Sequence, residues 1–174
     1  MTFCENKSIL ISTRPQHTCN ILNLIKLWEI RKKFPKDYVG WVYIYVTKAL
    51  PHLAKTYAND YEIYDETQWD KDWIDMNGKV VARFWCDKVD EFYDFDDDLC
   101  KQACLDRGEM LDYLGNKNGY AIHITKLEIF DKPKEISEFK RCQLLWCCEP
   151  HDCEKCRHAL SLTRAPQSWC YVEV

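Results

Sequence analysis

Residues 25–33, with the sequence IKLWEIRKK, form the stretch on which the interpretation of this chain depends. If the segment is a β-strand, alternate side chains point to opposite faces, so Glu29 and Arg31 share one face. The other face combines lysines with the large apolar side chains of Trp28 and Ile30. Such a strand is too charged for a plain core and too apolar for a plain solvated edge. This conflict between local rules is typical of a strand that lines a binding groove.

The composition indicates one domain with a core of its own and a cytoplasmic location. The chain has 174 residues, enough to bury a sizeable core. No apolar run approaches the roughly 20 residues of a membrane span, and residues 1–7 lack the features of a signal peptide. We therefore expect no membrane partner. In such a protein the eleven cysteines are expected to be free thiols or metal ligands rather than disulfides.

Charge is distributed unevenly along the chain. Residues 1–50 contain eight Lys and Arg against three acids, a surplus of five positive charges. The whole chain has a net charge of -4, so residues 51–174 have a net charge of -9. The acidic remainder argues against a protein that coats nucleic acid without regard to sequence. A local basic pocket for one nucleotide or a small anion fits this balance better.

Hydrophobic patterns predict several short strands and few helices. The predicted strands lie at residues 8–12, 26–33, 41–46, 79–86, 119–130 and 168–172. A helix is expected after Thr13, with Pro15 in its first turn. Two short helices are expected between residues 99 and 114, with Asp106 and Glu109 in a capping box, and a last short helix begins within residues 131–135. This pattern, without repeats, favours an α+β fold, a small β-barrel with flanking short helices.

The middle and the end of the chain differ in character from the rest. Residues 51–77 mix aromatic residues with acids without a clear period, which predicts an acidic aromatic insertion at about 56–76, of the kind that often forms a lid. We expect residues 1–140 to form the main domain. Residues 141–174 then form a cysteine-rich C-terminal appendage that ends in a closing strand at about 168–172.

The charged strand supplies the candidate binding residues. Arg31 offers a planar fork for phosphate or a base edge, Lys26 supplies a charge or a base, and Glu29 can accept a hydrogen bond or move a proton. Arg14 and Lys33 could add phosphate contacts. The alternative is a solvated strand that carries an ordinary Glu–Arg pair.

Tyr120 and His123 are further candidate ligand-binding residues, on the predicted strand 119–130. Their odd spacing places them on opposite faces. A histidine in an apolar strand is more often a hydrogen-bonded core residue than a catalytic one, and that alternative stays open for His123.

A CxxC pair, Cys153 and Cys156, predicts one structural zinc ion. Two thiolates at this spacing can bind one tetrahedral metal. The other two ligands would come from Cys142, Cys147, Cys148, His151 or Cys170, and Cys147 and Cys148 are taken as the candidates. A redox-active dithiol and plain buried thiols are the alternatives.

Taken in order, these motifs resemble the ASCH domain of the PUA-like superfamily, in a branch found in phages and Firmicutes. The resemblance extends over most of the chain, and the segments that carry it are residues 8–15 (SILISTRP), 26–32 (KLWEIRK), 42–45 (VYIY), 78–81 (GKVV), 113–115 (YLG), 119–124 (GYAIHI), 131–135 (DKPKE) and 166–172 (PQSWCYV). The resemblance implies a PUA-like β-barrel with a cleft that is proposed to bind RNA or a modified nucleoside.

One enzymatic branch of the family deacetylates N4-acetylcytidine and uses a K-x-x-T-x-R motif. Lys26 and Arg31 match this motif, whereas Glu29 stands where the Thr would be. We therefore expect an RNA- or nucleotide-binding module with a cleft lined by Lys26, Glu29 and Arg31. A hydrolase of a modified nucleoside or a ribonuclease, with Lys26 and Glu29 as catalytic residues, is the first alternative. A phage-derived protein-interaction module that uses residues 56–76 is the second.

Overall fold

The computed structural model describes residues 7–141 and 161–174. Within them lie three short α-helices: α1 (Pro15–Leu22), α2 (Asp97–Ala103) and α3 (Arg107–Leu114). The strands are β1 (Ser8–Thr13), β2 (Trp28–Arg31), β3 (Gly40–Val46), β4 (His52–Lys55), β5 (Tyr61–Tyr64), β6 (Ile74–Asp75), β7 (Val80–Cys86), β8 (Val89–Phe92), β9 (Gly119–His123), β10 (Thr125–Lys134), β11 (Lys140–Arg141) and β12 (Trp169–Glu173). This content confirms an α+β fold.

The largest sheet has six strands in the order β10-β7-β3-β1-β12-β11. Its centre, β1 with β3, is a parallel pair, and the other pairs are antiparallel. Both central strands are rich in β-branched and aromatic residues, which favour the extended conformation. Ile9, Ile11, Val42 and Ile44 from these two strands are fully buried and form the main core of the domain. The predicted closing strand at about 168–172 is confirmed, because β12 pairs with β1.

The second sheet, β2-β9-β8, carries the charged strand. Ile30 of β2 and Ala121 of β9 pack against buried side chains of α2 and α3. Successive side chains of a strand alternate between faces, so Glu29 and Arg31 point away from these helices. Arg31 reaches the end of β1 there, as its hydrogen bond to the Ser12 carbonyl shows.

The insertion forms a small sheet of its own, in the order β5-β4-β6. Sequence analysis predicted no strands in the insertion at about 56–76, whereas the structure has β5 and β6 there. Tyr64 is buried between His52 and Trp69, with ring centroids 5.2 and 4.7 Å away. Stacked aromatic rings order this segment without the periodic pattern that sequence analysis looks for.

Three further expectations are corrected. In the described residues the strands divide into three separate sheets, so the β-barrel does not close. The predicted strand 119–130 is interrupted at Ile124, and Lys126 has a φ of 45°. The segment 131–135 is not helical: β10 continues to Lys134, and a short 3-10 helix follows at Ile136–Glu138.

The two helices between residues 99 and 114 are confirmed. The Asp106 side chain accepts from the Glu109 N–H and the Glu109 carboxylate accepts from the Asp106 N–H, each at 2.8 Å. No helix in the described part of the chain is both long and apolar enough to cross a membrane.

Candidate functional site

The turn between α1 and β2 places Lys26 beside the strand rather than in it. After α1, Leu24 adopts a left-handed conformation with a φ of 59°, which is uncommon for a residue with a bulky side chain. The N–H groups of Ile25 and Lys26 then donate to the Asn20 carbonyl at 2.9 and 3.0 Å. Because β2 begins at Trp28, strand alternation does not govern Lys26, and its side chain can turn towards Glu29.

Lys26, Glu29 and Arg31 form one buried cluster, called the buried triad below. The Lys26 Nζ lies 3.6 Å from Glu29 Oε2, and Arg31 Nη2 lies 2.9 Å from Glu29 Oε1. The three residues are 2%, 5% and 6% exposed. With Lys26 and Arg31 protonated and Glu29 ionised, the buried triad has one net positive charge, and charges of this kind are almost never fully buried unless paired.

Arg31 is held by main-chain and side-chain oxygens from both ends of the chain. Its Nη2 donates to the Ser12 carbonyl at 2.9 Å and to Thr13 Oγ1 at 3.4 Å. Its Nη1 lies 3.4 Å from both the carbonyl and the hydroxyl oxygen of Ser168. The Nε of Arg31 is buried and has no acceptor among the described residues. A buried donor without an acceptor costs about 1–3 kcal/mol, so a ligand atom at this position would be favoured.

Lys26 is anchored at the C-terminal end of α2. Its ammonium donates a hydrogen bond to the Ala103 carbonyl, one of the last carbonyls of that helix, where a positive charge is favoured. The main chain nearby is also tied to α2, because the Leu27 N–H donates to the Gln102 carbonyl at 2.8 Å. The position of Lys26 therefore depends on α2 as well as on β2.

The triad keeps Glu29 ionised. Burial alone would raise the pKa of this carboxyl, but the neighbouring Arg31 and Lys26 outweigh burial and lower it. Two cations close to one carboxylate favour its charged form. Glu29 is thus ready to accept hydrogen bonds rather than to donate a proton at neutral pH.

His17 of α1 and Tyr113 of α3 lie close enough to the triad to feel its charges, and sequence reasoning missed both. Burial lowers the pKa of His17, with Glu29 opposing and Lys26 adding to the effect. Burial raises the pKa of Tyr113, and Glu29 adds to this increase whereas Arg31 opposes it. Both residues are partly accessible, whereas the triad is buried. In the sequence, the one available signal was that His17 follows Arg14 by three residues and thus shares its helix face.

Exposed cations surround this region. Arg14 occupies the N-cap position of α1 without a side-chain cap, and Lys33 is exposed at the end of β2. The ammonium of Lys32 lies 5.0 Å from the centre of the Tyr113 ring. These three residues are called the rim cations below.

Tyr120 and His123 have other partners. Tyr120 pairs with Arg31 across the strands, but its hydroxyl donates to Glu91 Oε1 at 3.2 Å. His123 Nδ1 lies 2.7 Å from Asp87 Oδ1, and its ring centroid lies 4.6 Å from that of Trp28. The Tyr120 hydroxyl and the His123 ring therefore have recorded partners outside the buried triad, and their role in ligand binding stays a prediction.

The predicted zinc ligands Cys147, Cys148, Cys153 and Cys156 lie outside the described residues. Within residues 7–141 and 161–174, no group of His, Cys, Asp or Glu is arranged to hold a metal ion. The zinc ion stays a prediction.

The fold is similar to crystal structures of ASCH from Zymomonas mobilis. For the unsubstituted protein the TM-score is 0.50 at 15% identity, covering 74% of this chain and 73% of that chain. For a serine-to-alanine variant the TM-score is 0.56 at 13% identity, covering 95% and 88%. No protein-family model matches the chain, and no curated protein does either. At this level of identity the likeness establishes a shared, ASCH-like fold.

Proposed function

We propose that the protein binds RNA or a nucleotide at the buried triad, with the rim cations in contact with phosphate. The supporting observation is a charge cluster more than nine-tenths buried, with one net positive charge and an unpartnered Arg31 Nε. Burying such groups costs several kcal/mol per ion. A ligand that supplies an electron-rich oxygen would recover part of this cost when it binds.

The surroundings of the triad favour a nucleic-acid ligand. Arg14, Lys32 and Lys33 are exposed around it, and exposed cations bind the phosphate backbone. The ASCH resemblance noted in the sequence implies the same class of ligand. The acidic remainder of the chain would limit binding to this one region.

The proposal is tested by fluorescence anisotropy with a panel of short single-stranded RNAs and nucleosides. We expect Lys26→Ala and Arg31→Ala to weaken binding at least tenfold. Lys132→Ala, which removes an exposed lysine on β10, is the matched control and should have no effect. Thermal unfolding of each variant must show a folded protein. Unchanged affinity in folded Lys26→Ala and Arg31→Ala variants would refute the proposal.

A hydrolase or ribonuclease is the second candidate. It is favoured by the 3.6 Å approach of the Lys26 Nζ to Glu29 Oε2 in a buried site, which places a candidate catalytic amine beside a carboxylate that can accept a proton. The test is incubation with N4-acetylcytidine and with RNA. Absence of product, or product that survives Lys26→Ala, would reject it.

Residues 56–76 are proposed separately as a protein-interaction surface. Tyr57 and Trp69 are exposed on this segment, and exposed aromatic side chains are enriched at interfaces. A pull-down with and without Trp69→Ala tests the idea, and an identical set of captured proteins would contradict it.

A further inference from the structure

The guanidinium of Arg31 is largely occupied by the protein itself. An arginine has five N–H donors, four of them on the two terminal nitrogens. Nη2 faces the Ser12 carbonyl and Glu29, each at 2.9 Å, and Nη1 faces the two oxygens of Ser168 at 3.4 Å. Phosphate recognition by arginine commonly uses two parallel N–H groups. Arg31 cannot present such a pair without breaking these contacts.

Lys26 is occupied as well. Its ammonium donates to the Ala103 carbonyl and lies near the Glu29 carboxylate. The C-terminal carbonyls of α2 and the carboxylate together offset its charge. Lys26 is therefore not a free point charge for a buried phosphate.

Among the side-chain nitrogen atoms of the buried triad, Arg31 Nε is the one without any hydrogen-bond partner in the part of the chain that the structure describes. A single buried N–H matches a single acceptor oxygen. A phosphate carries more charge and more acceptor atoms than this donor can satisfy, and a buried ion without full compensation is unfavourable. A neutral carbonyl has a much smaller desolvation cost and needs one good donor.

We infer that the buried triad receives a keto oxygen of a nucleobase and excludes phosphate, which stays at the rim cations. This inference rests on the function proposed above and specifies the chemical group that enters the site. Arg14, Lys32 and Lys33 form no ion pair within the described residues, so they are available to phosphates.

The first test uses the unaltered protein and competition against a labelled RNA that it binds. The competitors are uridine, cytidine and guanosine, whose bases carry a keto oxygen, and adenosine, whose base has none. Ribose 5-phosphate and inorganic phosphate complete the set. We expect at least one keto nucleoside to compete, with adenosine, ribose 5-phosphate and phosphate at least tenfold weaker.

Three outcomes overturn the inference. Either phosphate compound competing as well as the best nucleoside would show that the triad takes phosphate. Adenosine competing equally would remove the role of the keto oxygen. RNA binding without competition by any nucleoside would refute the inference while leaving the proposed function intact, whereas failure to bind any RNA or nucleotide would refute the proposed function.

The second test separates the triad from the rim. Arg31→Lys keeps the positive charge but removes the Nε donor. We expect this variant to bind nucleosides roughly 10- to 100-fold more weakly, which is the usual contribution of a hydrogen bond to a charged group. Combined Arg14→Gln and Lys33→Gln should reduce RNA affinity more than nucleoside affinity and lower the salt dependence of RNA binding by about one unit of slope per residue. Equal loss of nucleoside affinity in the rim and triad variants would contradict the assignment of the base to the triad and of phosphate to the rim cations. If Arg31→Lys does not fold, the competition with the unaltered protein decides.

Discussion

Glu29→Gln removes the carboxylate that holds the buried triad together while preserving its shape. The carboxylate lies 2.9 Å from Arg31 Nη2 and 3.6 Å from the Lys26 Nζ. At an effective dielectric constant of about 20, these separations correspond to roughly 6 and 5 kcal/mol of gross attraction. Desolvation of the three ions offsets most of this, and removing one partner of a buried pair typically costs about 3–5 kcal/mol. We expect a loss of that size, because the variant leaves two cations buried without a counter-charge.

Urea unfolding at pH 7, followed by tryptophan fluorescence, measures the effect. Glu128→Gln is the matched control, because Glu128 Oε2 lies 2.7 Å from Arg83 Nε but its side chain is 49% exposed. An exposed pair of this kind contributes about 0–1 kcal/mol. The two variants share the substitution and a short contact to an arginine, and they differ in burial. A loss below about 1 kcal/mol for Glu29→Gln, equal to that of the control, would refute the reasoning.

Three further predictions follow from the same region. Folding lowers the pKa of Glu29, so the stabilisation from its carboxylate is complete above the unfolded pKa of about 4.3 and is lost as the pH falls through the lower folded pKa. The difference in unfolding free energy between the unaltered protein and Glu29→Gln should therefore shrink in acid. A difference that stays constant with pH would contradict this. Replacing the triad with Lys26→Met, Glu29→Leu and Arg31→Met should leave a protein of equal or greater stability in urea; a large loss would make the triad structural. Leu24→Gly should stabilise the protein by about 0.5–1 kcal/mol, because glycine tolerates the left-handed conformation and the Leu24 side chain is 68% exposed. A lower thermal unfolding temperature for this variant would show instead that the Leu24 side chain makes stabilising contacts.

Several strands and the shared face of Glu29 and Arg31 were predictable from local pattern, whereas the position of Lys26 and the surroundings of the triad were not. Alternation in residues 25–33 is enough to put Glu29 and Arg31 on one face. The approach of Lys26 depends on a left-handed turn at Leu24, which no local preference of leucine indicates. Tyr113 comes from a helix more than eighty residues later in the chain, and its position depends on how α3 packs against β2. Tertiary packing of this kind leaves no periodic signal in the sequence.

The error at residues 131–135 has a specific physical cause. The turn-like composition around Pro133 predicted the start of a helix, since proline is favoured in the first turn. In the structure Pro133 lies near the end of β10, which is an edge strand of the six-stranded sheet. A proline on an edge strand need not remove a hydrogen bond of the ladder. The same residue is thus compatible with either structure, and the position of the strand in the sheet decides between them.

The energetic cost of the triad is itself an argument about function. Apolar residues of similar volume would pack between β1, β2 and α2 without burying three charges and an unpartnered donor, and such replacements are often neutral or stabilising. The contacts of Arg31 with Ser12 and Ser168 hold the cluster rigidly, which is what a preorganised binding site requires. If the apolar triple variant folds with undiminished stability and no longer binds nucleosides, stability cannot be the reason for the charges. Their role would then be the recognition of a ligand oxygen at Arg31 Nε.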